Sequence, residues 1–292
     1  MAEIFQVFPW VGFVFAALFG LVFGSFGNVI VARLPRMLEQ QWRDECAASF
    51  PQIAHDPKTT KSSSKRFNLA YPASHCPKCG HSLRWFENIP LLSYLIQKGR
   101  CRSCKTHISL RYPITEAVSA LLTLAAVAHF GFTYQAIAFA VLLYVLLLLT
   151  LIDSEIMLLP DQLTLPLLWL GLILSIHILP VSPTDAIIGG AAGYLFLWSV
   201  YWLFKLATGK EGMGYGDFKL LAVLGVWLGW QALPIIVLLS SLVGAAYGIF
   251  MIILRKHSQD KPMPFGPFLA VAGGIALFYA EPIYLWYWNF AL

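Results

Sequence analysis

Apolar runs near the roughly 20 residues needed to cross hydrocarbon recur along this chain from end to end. Such a chain has few fates, because inside a bilayer every backbone N–H and C=O must find a partner within the protein itself. Eight runs are marked out, at 8–32, 113–130, 134–152, 162–180, 185–207, 218–230, 232–254 and 265–288. The sixth is short enough to suit a tilted or re-entrant helix. A hydrophobic fraction of 58%, against about 45–50% in soluble domains, agrees with this reading. The expected fold is an all-α polytopic membrane protein of about eight transmembrane helices, with a small domain in the polar loop between the first and second.

Lysine and arginine orient the chain, since cytoplasmic loops hold the excess. Fourteen of the 20 basic residues lie between Arg33 and Arg111, which puts that loop in the cytosol. If the runs alternate from there, Lys205, Lys210, Lys219, Arg255, Lys256 and Lys261 also fall at cytosolic ends, and both termini lie outside. Met1–Pro9 carries no positive charge and includes Glu3, so the first run reads as a retained span and not a signal peptide. Trp286, Tyr287 and Trp288 read as an interfacial aromatic belt. The expected division is a first transmembrane helix at 1–32, a cytosolic loop at 33–112 and a membrane core at 113–292.

Within the loop, Met37–Ser49 has the character of an amphipathic helix and Lys58–Arg66 that of a flexible basic run. Fourteen basic against five acidic residues suit an anionic bilayer surface; no aromatic residues interleave the charges, so nucleic acid is not expected as a partner. A module at about 70–112 carries Cys76-x2-Cys79 and, 21 residues on, Cys101-x2-Cys104. Two close thiol pairs can supply the four soft ligands of a structural tetrahedral zinc; a redox dithiol is the other reading. His75, His81 and His107 are near enough to be substitute ligands, and Cys46 stands alone as a free thiol.

Two acids at the margins of apolar runs carry the candidate chemistry. Asp153 closes L-T-L-I-D-S-E-I, and Asp217 follows the alternating glycines Gly212, Gly214 and Gly216 in G-M-G-Y-G-D-F-K. Ionisable groups in such places are expensive and point to function. In the topology above both acids fall at one membrane depth on the cytosolic side. Two carboxyl groups held a few ångströms apart share a proton and titrate as a unit. One can then take a proton from an attacking water while the other donates to the leaving amine. Glycines at 212, 214 and 216 free the backbone to pass close to a substrate strand. Asp161, after Leu159-Pro160, reads first as a helix N-cap and second as a substrate contact. Glu155 and Glu211 are further acids on that side.

G-M-G-Y-G-D-F-K is similar to the G-x-G-D signature of intramembrane aspartyl proteases. Together with I-D-S-E-I-M-L-L-P-D, the paired C-x2-C motifs and G-S-F-G-N-V-I-V-A-R-L-P (Gly24–Pro35), it resembles the bacterial type IV prepilin peptidases nearly end to end. The resemblance implies an inner-membrane enzyme that removes the basic leader of prepilins and pseudopilins after a glycine. It further implies N-methylation of the new terminus with S-adenosyl-L-methionine, catalytic aspartates at Asp153 and Asp217, and zinc on Cys76, Cys79, Cys101 and Cys104. No glycine-rich loop follows a strand, so methyl transfer rests on the resemblance alone. Two other readings stay open: a proton-coupled transporter using Asp153 and Asp217, and a zinc-bearing membrane scaffold without chemistry.

Overall fold

The first apolar run does not stop where its hydropathy does. In a computed structural model, which describes residues 8–50, 67–253 and 263–291, α1 spans Pro9–Ser49 as one 41-residue helix. Pro35 removes one helical hydrogen bond, but the Met, Leu, Glu, Gln, Arg and Ala residues beyond it are good helix formers, so the helix continues. Met37–Ser49 is therefore the far end of α1. Met1–Val7, the basic run Lys58–Arg66, and Arg255, Lys256 and Lys261 lie outside the described residues.

By its internal contacts the chain divides into two compact units, Met1–Ala125 and Ala126–Leu292. In the first unit α1 packs on α3 (Arg111–Phe130) through small residues. A Cβ on Gly20 would come within 2.5 Å of the Ala120 Cα, and one on Gly24 within 2.7 Å of the Glu116 Cα. Such close approach is what glycines four apart permit between membrane helices. The Asn28 amide donates to the Tyr112 carbonyl at 3.1 Å, and the Arg33 guanidinium donates to the carbonyls of Asn68, Leu69 and Pro72 at 2.7–3.2 Å. Buried Glu116 accepts the Leu91 N–H at 2.9 Å, which fixes the start of the short α2 (Leu92–Ile96).

The second unit is built around one helix. α7 (Tyr215–Leu228) carries Asp217 and Lys219 near its start and is apolar on every side thereafter, and Phe218, Leu220, Leu221, Val223, Leu224 and Trp227 are all fully buried. A helix hydrophobic all round belongs inside a bundle. At 14 residues it spans only about 21 Å, short of the hydrocarbon thickness, and Gly229, at φ +83°, ends it. Around it lie α4 (Tyr134–Ile156), α5 (Asp161–Leu174), α6 (Pro183–Thr208), α8 (Leu233–Ile253) and α9 (Gly266–Ala291). The Thr133 hydroxyl caps α4 by accepting the Ala136 N–H at 3.2 Å, and Ser182 caps α6 by accepting the Asp185 N–H at 3.1 Å.

Each of the eight expected runs overlaps a helix, although the run 162–180 outlasts α5, which ends at Leu174. Among the described residues, five stretches are long and apolar enough to cross a membrane: α1, α3, α4, α6 and Trp230–Met251, which contains most of α8. α5 and the Gly266–Ala280 part of α9 are apolar but shorter. The side chains of Trp286, Tyr287 and Trp288 lie outside what the structure describes.

α6 and α7 meet backbone to backbone. A Cβ on Gly225 would stand 2.1 Å from the Gly189 carbonyl oxygen, and one on Gly193 would stand 2.7 Å from that of Leu221. No side-chain rearrangement relieves a clash with a backbone carbonyl. Gly225→Ala is expected to destabilise the protein by about 3 kcal/mol. That corresponds to a fall of roughly 6–12 °C in the unfolding midpoint of a unit this size, measurable by thermal unfolding in detergent.

Candidate active site and metal centre

Asp153 sits in the last turn of α4. Beyond it the helix ends at Met157, in left-handed conformation, whose N–H returns to the Asp153 carbonyl at 2.9 Å. Asp217 sits in the first turn of α7, whose N-cap is Gly214. Both side chains are buried, at 5% and 6% exposure, in an otherwise apolar bundle. Burying an acid in such surroundings is costly, and two in one unit more so.

Leu159 shows how the two acids come together. A Cβ on Gly216 would meet the Leu159 Cβ at 2.8 Å; one on Gly266 would meet the Leu159 Cδ2 at 3.2 Å and the Asp153 Oδ2 at 2.7 Å. One leucine side chain thus touches the residue preceding Asp217 on one side and the residue bound to Asp153 on the other. Gly266, at the start of α9, donates its N–H to Asp153 Oδ2 at 3.1 Å, placing the positive end of a helix at that carboxylate. The two acids also interact electrostatically.

The three glycines of the run are not equivalent. Gly216 has no room for a side chain, whereas a Cβ on Gly214 would make only an ordinary contact, with the Gly216 N at 4.0 Å. A Cβ on Gly212 would meet only the Phe204 ring, at 2.9 Å. Asp161 is the first residue of α5, one place inside the predicted cap; Pro160 takes the cap position. Its carboxylate receives Lys219 Nζ from α7, at 2.6 and 2.8 Å to its two oxygens. Glu211 pairs with Lys205 at 2.8 Å, which holds its carboxyl below the usual range. Glu155 is exposed.

The four cysteines lie in the first unit as two matching turns. Cys76 N–H donates to the His81 carbonyl at 2.9 Å, and Cys101 N–H to the Thr106 carbonyl at 2.8 Å. Gly80 and Lys105 occupy equivalent left-handed positions, at φ +72° and +56°. Short antiparallel bridges, His75 with Ser82 and Arg100 with His107, close each turn. All four Sγ atoms fall within 4.8 Å of one another. The Cys76–Cys104 and Cys79–Cys101 separations are 3.8 and 4.0 Å. A tetrahedral thiolate shell with metal–sulfur bonds of about 2.3 Å has edges of about 3.8 Å. None of the four is in a disulfide, nor is Cys46.

The histidines do other work. His75 Nδ1 lies 2.9 Å from the Ala73 carbonyl, and His81 Nε2 lies 3.2 Å from Glu87 Oε2. Glu87 itself is buried and accepts the Arg84 N–H at 2.9 Å, which, with His81 and Arg102 beside it, holds its carboxyl below the usual range. His81 follows the first cysteine pair and Arg102 lies within the second, so this acid ties the two turns together.

Glu87, Glu116, Gly266 and the Gly189–Gly225 contact were not singled out from the sequence. Gly266 had a usable signal: Pro264-Phe265-Gly266-Pro267 opens an apolar run, as a helix start does. The contact between Gly189 and Gly225 had none, because it joins positions far apart in the chain.

Two family descriptions match this chain: "Bacterial Peptidase A24 N-terminal domain" over residues 18–130, and "Type IV leader peptidase family" over residues 140–249. A protein of Aeromonas salmonicida named "Prepilin leader peptidase/N-methyltransferase" is 53% identical over 287 residues, covering 98% of this chain and 97% of its own. Proteins of the same name from Pseudomonas aeruginosa and Burkholderia pseudomallei are 53% and 48% identical over 274 and 271 residues, or 94% and 93% of this chain and 92% and 86% of their own. No solved structure matches.

Proposed function

This chain belongs to the type IV leader peptidase family, and from that membership and its two buried acids we propose that it is the membrane aspartic endopeptidase that frees prepilins and pseudopilins of their leaders. Asp153 and Asp217 form the catalytic pair. In the ionised state one carboxylate takes a proton from water as the oxygen attacks the scissile carbonyl; its partner, protonated, donates to the leaving amine. The burial of both carboxylates around Leu159 is the observation that carries this reading. A proton-coupled transporter would be expected to repeat its helix-breaking acid motif in both halves, and a scaffold has no use for two buried acids.

The active side faces the cytosol in this proposal, with both termini outside the bacterial inner membrane. The basic loop then meets the anionic leaflet, and the charged leader of the substrate stays in water. Asp161, half-exposed beside Lys219, is in reach of a basic leader segment. Gly212, Gly214 and Gly216 border the path of the unwound substrate strand. Two substitutions separate the fold from the substrate here. Gly216→Ala forces Leu159 away and is expected to lower cleavage about 10²-fold, since small displacements of catalytic groups are that costly. The added Cβ of Gly214→Ala comes no nearer than 4.0 Å to its neighbours, at the Gly216 N, so any loss of prepilin cleavage by that variant, with unfolding temperature unchanged, reports contact with substrate.

Cys76, Cys79, Cys101 and Cys104 hold a structural zinc in this reading; the sulfur separations suit it, and four filled positions leave none for a catalytic water. The second activity is methylation of the amine that cleavage exposes. S-adenosyl-L-methionine, when bound, supplies an electrophilic methyl group. A cavity of about 380 Å³ in the first unit is of small-molecule size. Arg33, Ser25, Ser74 and Asn88 line it beside Phe26 and Leu69, a mixture that suits a ligand with charged ends and an aromatic base. Purified protein mixed with a prepilin and labelled methyl donor tests the whole reading: leader loss and label on the new terminus support it, and an intact, unlabelled prepilin overturns it.

A further inference from the structure

A second cavity, of about 490 Å³, lies in the unit that holds both acids. Two of its wall residues belong to the segments that hold the acids. Met213, one wall residue, stands between Gly212 and Gly214 in the run that ends at Asp217; Phe265, another, immediately precedes the glycine whose N–H binds Asp153. The opposite wall is the face of α8 that carries Ser241, Gly244 and Ala245, with α6 completing the enclosure.

The lining contains no charged side chain, and the Ser241 hydroxyl is its one polar side-chain group. A basic leader finds no partner there. The small residues on α8 let another helix approach closely, and Gly244 would meet the Phe268 ring at only 3.4 Å even with a Cβ added. α8 is also the least covered of the spanning stretches, with 11% of its apolar window buried, so this face is open to a helix arriving from the side. Leu238 and Leu242, each 65% exposed, lie on α8 outside the cavity.

A peptide cut between the two acids has one half on each side of the bond. The polar, charged surroundings of Asp161, Lys219, Lys205 and Glu211 suit the leader half. We infer that the cavity beside α8 receives the other half, the apolar segment that follows the cleaved bond, docked as a helix against Ser241, Gly244 and Ala245. This rests on the peptidase reading above, and it assigns the cavity a specificity role: it selects substrates whose chain continues as an uncharged apolar helix.

The test uses the full-length protein in bilayers with a purified prepilin. A photoreactive benzoylphenylalanine at position 241, in the Asp217→Asn background so that substrate persists, is expected to crosslink to the apolar segment; the same probe at 242 is not. Ala245→Trp is expected to raise KM at least about tenfold with kcat within about twofold, the signature of lost substrate binding, while Leu242→Trp changes neither. Crosslinks to lipid or to the leader alone, or an unchanged KM in Ala245→Trp, would overturn the assignment. Should Ala245→Trp fail to fold, judged by its unfolding midpoint, the crosslink from position 241 decides. Failure of the peptidase reading looks different: wild-type protein would then leave prepilin uncut.

Discussion

Asp217→Asn is expected to lose prepilin cleavage by about 10³-fold or more while the protein stays folded. The substitution is nearly isosteric and the site is buried at 6% exposure, so the bundle around α7 has no reason to rearrange. The chemistry does change, because an amide neither takes the proton of an attacking water nor gives one to a departing amine. Loss of one general acid or base costs about 10²–10⁴-fold. Asp153→Asn should behave alike for a further structural reason: its amide oxygen can still accept the Gly266 N–H that now binds Asp153 at 3.1 Å. The start of α9 is therefore kept, and a loss of activity cannot be charged to a loosened helix. Both variants should retain their metal, since all four cysteines lie in the other compact unit.

In the zinc reading proposed above, removal of the metal is expected to have the largest effect on stability. The described part of the module has no strand longer than a single bridge, and its helical pieces at Trp85–Asn88 and Leu92–Ile96 are only four and five residues long. Isolated helices of that length do not hold in water. What organises the stretch is the pair of cysteine turns with Glu87 between them, and metal binding to such a site contributes about 10–16 kcal/mol that is also folding energy. Cys101→Ser, or treatment with a strong chelator, is expected to release one metal ion per chain and to open residues 75–107 to proteolysis. Metal analysis and limited digestion check this together. A module that stayed resistant after losing its metal would show that the thiols were held by something else.

Much of this was legible in the sequence, for reasons that differ between sites. The cysteines were readable because a metal shell demands close pairs, and close pairs survive as sequence spacing. Asp153 and Asp217 were readable because acids among apolar residues stand out. What brings them together was not: Leu159, Gly216 and Gly266 meet only in the folded bundle. Helix ends also resisted reading. Hydropathy falls at Arg33, but helix propensity does not, so α1 runs on to Ser49. Asp161 is a good capping residue displaced by Pro160, which cannot donate an N–H and has taken the cap position itself. Asp217, expected at the start of the sixth run, lies in the first turn of α7, which begins two residues earlier within the glycine run because glycines loosen but do not forbid a helical turn.

The central claim is that the two carboxyl groups act as one catalytic unit. Its most direct test compares the rates of prepilin cleavage, read by intact mass, for Asp153→Asn, Asp217→Asn and the double variant under one set of bilayer conditions. Groups acting as a unit are non-additive, so the double variant should be no slower than either single one, with all three near the uncatalysed background. Leader removal at the wild-type rate by either single variant, or two partial losses that multiply in the double, would contradict the account.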